Sequence, residues 1–85
     1  MNDLTTLPNI GKELSELLKQ TGITNGEELR NTGSEKAFIR LAAMPGCEPC
    51  INKLYALEGA IQGIRWHNLD AGRKLELKAF YGQMK

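Results

Sequence analysis

Three short stretches in the middle and second half of this sequence carry residue types that could do chemistry. The first is Cys47-Glu48-Pro49-Cys50, a C-x-x-C pair. A redox dithiol of that spacing needs a helix N-terminus to lower a thiol pKa, and Cys50 would sit in such a first turn. It also belongs on a strand–helix–strand framework, for which no signal is present. A zinc site needs four ligands, and the other soft candidate is His67, so a metal reading requires a second chain to complete it. The plain reading is two small residues packed under a loop. The second stretch is Glu58, a carboxylate inside an apolar helical arc. Such a group is costly unless paired or hydrogen-bonded. Arg40, Arg65 and Arg73 are the candidate partners. The third is Trp66-His67, readable as a core plug or as a platform on which a base could stack. Beside it, Arg65, Arg73, Lys74 and Lys78 could form a basic patch or simply a solvated face.

The opening raises a different chemistry. "LPNIGKELSELL" runs from a turn, Pro8-Asn9-Ile10-Gly11, straight into an apolar-periodic helix that begins near Lys12. The Pro-x-Ile-Gly turn resembles that of a helix-hairpin-helix motif. A tight turn of this kind aims backbone N–H groups at a helix start outward, where the helix dipole adds partial positive charge. A phosphate can dock there without any base being read, and Lys12 would add a full charge. Asn9 stands where the motif usually has glycine, and asparagine tolerates left-handed geometry better than most residues. Only seven residues precede Pro8, so a first hairpin helix has room for one turn. The competing reading is a turn that does no more than bury Ile10.

The elements that must hold these residues are helical. Leu14, Leu17 and Leu18 recur at helical spacing between Gly11 and Gln20, and Gly22 reads as a left-handed stop. Thr24 and Glu27 fit a capping box for a short helix that ends near Gly33. Ser34 reads as the N-cap of a helix carrying Ala37, Phe38, Leu41 and Ala42. Two prolines and a glycine in "MPGCEPC" punctuate the chain before the most informative helix, Pro49 to about Ile64. Its Ile51, Leu54, Leu57, Ile61 and Ile64 form a broad apolar arc, and its other side carries Ala56, Gly59, Ala60 and Gly63. A helix apolar on one side and small on the other is packed on both, either within the fold or across a dimer interface. A last helix, from about Asp70, aligns Leu77, Phe80, Tyr81 and Met84, with Leu75 pointing away. One all-α domain of about five helices spanning 1–85 follows, with a helical stub at the start.

Composition bounds the function. The chain is 41% hydrophobic and 25% charged, with a net charge of +1. That balance describes an ordinary globule and asks for no polyanionic partner in bulk. No run approaches the roughly 20 apolar residues of a membrane span, so no membrane role is expected. "MNDLTTL" shows neither the basic nor the apolar region of a secretory signal, which makes the cytoplasm the expected location. No Ser-His-Asp set, P-loop or carboxylate pair with clear roles is visible, so no enzyme and no cofactor is expected.

The second half sharpens the reading. "LYALEGAIQGIRWHNL" followed by "RKLEL" resembles the C-terminal domain family of TfoX, also called Sxy. The matching positions are Leu54, Tyr55, Ala56, Leu57, Glu58, Gly59, Ala60, Gly63, Trp66, Leu69, Arg73 and Lys74. "LPNIGKELSELLKQTGI" resembles the opening of the same domain. The likeness runs from about Leu4 to Phe80; "CEPC" is not a family feature. The resemblance implies an all-α fold similar to helix-hairpin-helix and SAM-like domains. It also implies a bacterial regulatory module, linked to competence gene expression, that binds a protein partner or a nucleic-acid backbone. The regulator that gives the family its name carries a further N-terminal domain, which these residues do not include. A homodimer is compatible with the small helix face, and a thiol or metal protein acting through Cys47 and Cys50 is the alternative.

Overall fold

A computed structural model of the chain describes residues 4–45 and 50–84. Among these, five α-helices and two single-turn 3-10 segments account for all the regular structure. A 3-10 turn, Leu4–Thr6, precedes α1 (Lys12–Gln20), α2 (Gly26–Thr32), α3 (Ser34–Ala42) and α4 (Ile51–Gln62). A second 3-10 turn, Trp66–Asn68, leads into α5 (Ala71–Gln83). The expected all-α fold, helical stub included, is what forms. Pro49 and Cys47 lie outside the described residues.

The helix α4 is the axle. It packs against α2, α3, α5 and the second 3-10 turn. Leu54 and Leu57 from its apolar arc are fully buried, and Ile51, Ile61 and Ile64 half-buried. Its small side is covered along the helix, where Ala56, Gly59 and Ala60 are buried, whereas Gly63, read on the same side, is exposed at the C-cap. The close approach that small residues permit is therefore taken up inside the domain. Leu18, Ile23, Leu29, Phe38, Leu41 and Leu77 complete the core from the surrounding elements. The stripe read on α5 divides by depth. Leu77 is buried, Phe80 and Tyr81 are half-buried, and Met84, the C-cap, is exposed; Leu75, off the stripe, is 68% exposed.

Helix ends explain the boundaries. Gly63 takes φ +76 after α4, which lets Ile64 N–H reach Gly59 O at 2.9 Å and Gly63 N–H reach Ala60 O at 3.2 Å. This paired closure satisfies carbonyls that the helix cannot. The same closure follows α1, where Ile23 N–H donates to Leu18 O and Gly22 N–H to Lys19 O.

Two capping expectations need correction. The N-cap of α2 is Asn25, whose side chain accepts from Glu28 N–H at 2.8 Å. Glu28 in turn accepts from the backbone N–H and the hydroxyl of Thr24. The box is thus displaced by one residue from Thr24/Glu27, because asparagine reaches the third N–H at least as well as threonine. Its hydrogen bonds from Thr24 hold the Glu28 carboxyl below its ordinary value. Ser34 is the first residue of α3 rather than its cap, Gly33 taking that place. The Ser34 hydroxyl is turned inward instead.

Candidate nucleic-acid interface at the hairpin turn

The Pro8–Gly11 turn is held by its second residue. Asn9 takes φ +68, the single left-handed non-glycine backbone among the described residues. Its amide bridges the α4–α5 connection: Nδ2 donates to Ile64 O at 2.9 Å, and Oδ1 accepts from Trp66 N–H at 3.1 Å. The turn is thereby clasped to a segment more than fifty positions away in sequence. Ile10, 5% exposed, plugs the core beneath it. Both readings of this stretch are thus built into one turn: the apolar anchor points in and the helix start points out.

That helix start is exposed at Gly11, Lys12 and Glu13. Gly11 caps α1 without a side chain to accept from its N–H groups, and the first intrahelical bond runs from Ser15 N–H to Gly11 O at 2.9 Å. A docking anion would meet backbone donors there with Lys12 beside them. Glu13 in the same turn already complements the dipole and opposes an anion. Along the same helix a shallow groove of about 250 Å³ is lined by Gly11, Glu13, Leu14, Leu17 and Lys53.

The clasp fits only because Gly59 has no side chain. A Cβ there would lie 2.5 Å from Asn9 Nδ2, 2.8 Å from Ile64 O and 3.2 Å from Trp66 Cα. Arg65, exposed, sits between the two residues that Asn9 binds. Trp66 packs against the core on one side and stacks with Tyr55 and His67. Lys74 reaches back from α5 to donate to His67 O at 3.3 Å.

One residue earlier, Glu58 anchors a different cluster. Its Oε1 accepts from Ser34 Oγ at 2.7 Å and from Arg73 Nη2 at 3.0 Å, and its Oε2 accepts from Gln62 Nε2 at 2.5 Å. Burial pushes the Glu58 carboxyl up, but the hydrogen bonds from Arg73, Ser34 and Gln62 together outweigh it and leave it below the ordinary value. The hydrogen bond to Glu58 raises the Arg73 guanidinium in turn. Arg73 also meets Glu76 at 3.4 Å and Glu35 at 3.9 Å, so it is withdrawn from the expected basic patch. A cleft of about 240 Å³ opens over this cluster beside Ser34 and Lys36. Of the three arginines that sequence offered to Glu58, the chosen one lies fifteen residues on, at the start of α5.

Cys50 is half-buried, with a free thiol, at the N-cap of α4. The C-x-x-C reading depends equally on Cys47, outside the described residues. No group of three or more potential metal ligands occurs among the described residues. What sequence reasoning missed is Asn9 as a clasp: its residue type signalled a left-handed turn, but nothing local pointed to Ile64 and Trp66.

A helical domain wound on one central helix, with a Pro-x-Ile-Gly turn clasped to the segment before its last helix, defines a small helix-hairpin-helix-like class. The model of the TfoX C-terminal domain family matches residues 1–81. The chain belongs to that family. No curated protein matches. Among solved structures, an uncharacterised Listeria monocytogenes protein in a triclinic crystal form superposes with a TM-score of 0.92 at 48% identity, covering 96% of this chain and 92% of that one. A Listeria monocytogenes protein of unknown function in a tetragonal form gives 0.92 at 47% identity, covering 98% and 100%. No described helix is long and apolar enough to cross a membrane.

Proposed function

We propose that this domain is a non-enzymatic regulatory module that binds a nucleic-acid backbone at the Pro8–Lys12 turn. The observation that carries the reading is the outward-facing start of α1, with no side-chain cap on its N–H groups and Lys12 next to them. The Asn9 clasp supports it by fixing that start in place before a ligand arrives, which lowers the ordering cost of binding. Arg65 and Lys74 supply further cations on the connection that Asn9 grips. The regulatory part rests on the family to which the chain belongs. With a net charge of +1, long-range attraction is slight, so binding is weak, with a salt dependence set by the few phosphates neutralised at the turn. Titration of the protein with duplex DNA at low and at moderate salt tests this. Absence of salt-dependent binding below about 100 μM overturns it, since non-specific affinities run tighter than that.

A second reading is favoured by the groove beside the same turn, whose floor is Leu14 and Leu17. A protein partner seated there would be indifferent to Lys12→Gln and lost on Leu17→Asp. Nucleic-acid binding at the turn responds in the opposite way.

A further inference from the structure

Next to the Asn9 clasp the chain stacks three rings from two elements. Tyr55 projects from α4, while Trp66 and His67 come from the 3-10 turn. The Tyr55 and Trp66 rings lie 15° from parallel with centroids 5.9 Å apart. The Trp66 and His67 rings lie 29° from parallel with centroids only 3.9 Å apart. Lys74 adds a cation, its Nζ 5.8 Å from the indole centroid.

Burial grades this stack. Tyr55 and Trp66 are half-buried and pack on the core. His67 is exposed and takes no part in that core. Its imidazole therefore continues the π-surface outward from an already anchored indole. The turn fixes the ring pair: Asn68 N–H closes on Arg65 O at 2.9 Å, and Lys74 holds the His67 carbonyl. A preorganised aromatic surface costs little to use, because its side chains are already ordered.

The surroundings name the ligand. Arg65 immediately precedes the stack and Lys74 lies over it. The Trp66 backbone N–H binds Asn9, so the Pro8–Lys12 turn is its direct neighbour. A flat ring surface flanked by cations and a helix start matches one nucleotide with its phosphates. Stacking accepts any base, since every base has a π-face, while cations track the backbone. A paired base inside a duplex has no free face to offer, so the fitting partner is unpaired.

We propose that the Tyr55–Trp66–His67 stack is a base-stacking platform for single-stranded nucleic acid, with Arg65 and Lys74 on the adjoining phosphates. This rests on the backbone-binding reading above and specifies the strand it prefers.

The sequence has a single Trp, so intrinsic fluorescence reports on Trp66 directly. The full chain is titrated with three ligands of equal length: an oligothymidylate, an abasic deoxyribose-phosphate strand and a DNA duplex. The oligothymidylate should quench Trp66 and bind on the order of tenfold tighter than the abasic strand. His67→Ala should bring the two affinities together, with an unchanged thermal melt showing that the fold persists. His67→Phe should restore the preference. Equal affinity for oligothymidylate and abasic strand, or tighter binding of the duplex, overturns the platform and leaves the turn as a backbone site. Binding of none of the three overturns both.

Discussion

Two successive residues of α4 serve two polar clusters built on opposite rules. Glu58 contributes a charge and Gly59 contributes the lack of a side chain. Around Glu58, the base is drawn against carboxylates and committed there. The carboxylate accepts from Ser34, Gln62 and Arg73, and Arg73 meets Glu35 and Glu76 besides. Around Gly59, a neutral amide does the tying, while Lys12, Arg65 and Lys74 remain toward the surface. The first cluster joins α3, α4 and α5, and its one guanidinium is shared among three carboxylates, so Arg73 has no charge left to offer an anionic ligand. The second holds the turn without using a charge, so its neighbouring cations are available. Where charge is spent, the cluster serves the fold; where an amide ties the fold, charge is left for binding.

The sharpest way to break that contrast is to remove Arg73. Arg73→Met keeps the stem and deletes the guanidinium, leaving Glu58, itself 8% exposed, with two neutral donors. Loss of one partner from a fully buried pair costs roughly 3–5 kcal/mol. Because the Arg73 side chain is 30% exposed and that of Glu58 11%, about 2–3 kcal/mol is expected here by urea unfolding. A double variant, Glu58→Leu with Arg73→Met, should recover much of it, since a buried pair replaced by apolar groups is often near neutral. A double variant as unstable as the single one would mean that packing at Arg73, not charge, ties α5 down.

Gly59→Ala is the next largest. The added Cβ collides with backbone at Ile64 O as well as with Asn9, so rotating one side chain does not relieve it. Overpacking of roughly 1–3 kcal/mol competes with about 1 kcal/mol of helix propensity gained, leaving a net loss of up to about 2 kcal/mol. Gly82→Ala on α5 meets nothing within 4 Å and should be neutral or slightly stabilising. Thermal melts of both variants check the pair. Equal shifts would show that the backbone around Gly59 yields to a methyl group without cost.

These two sites also show what a sequence can disclose. The helix α4 was readable because its periodicity is local: every third or fourth residue reports the same face, and both faces are indeed covered. Glu58 stood out because a carboxylate breaks an apolar arc. Its partner did not, since three arginines were equally compatible until α5 was placed. Gly59 read as one of several small residues, and Asn9 as a turn former; that each exists for the other is a contact across more than fifty residues. The caps failed by one position at two helix starts: Thr24 and Asn25 offered competing oxygens before α2, and Ser34 turned its hydroxyl to Glu58 and left the cap of α3 to Gly33. Short-range pattern fixes elements, and the pairing of polar groups waits on their packing.

Acid sharpens the contrast by a smaller effect. The Glu58 carboxyl lies below its ordinary value of 4.5 in the fold. Its contribution is complete above the unfolded value and is lost as pH falls through the lower folded one. Stability should therefore decline below about pH 4.5, and Arg73→Met, lacking the strongest donor, should decline less steeply there. Glu28, lowered by Thr24, adds to the slope in the same direction from the start of α2. Glu58→Gln with an undiminished acid slope would assign that slope to Glu28 alone.

Lys12→Gln should change least in the fold and most in the slope of binding against salt. Lys12 is exposed on the first turn of α1, so its loss should stay within about 0.5 kcal/mol of wild-type stability. If it neutralises one phosphate, its removal lowers the dependence of log affinity on log salt by about 0.9 for duplex DNA. Arg73→Met, measured where it remains folded, should leave that slope unchanged, because its charge is already committed to Glu58. An equal loss of slope from both substitutions would place the two clusters on one binding surface. The division between committed and available cations across α4 would then fail.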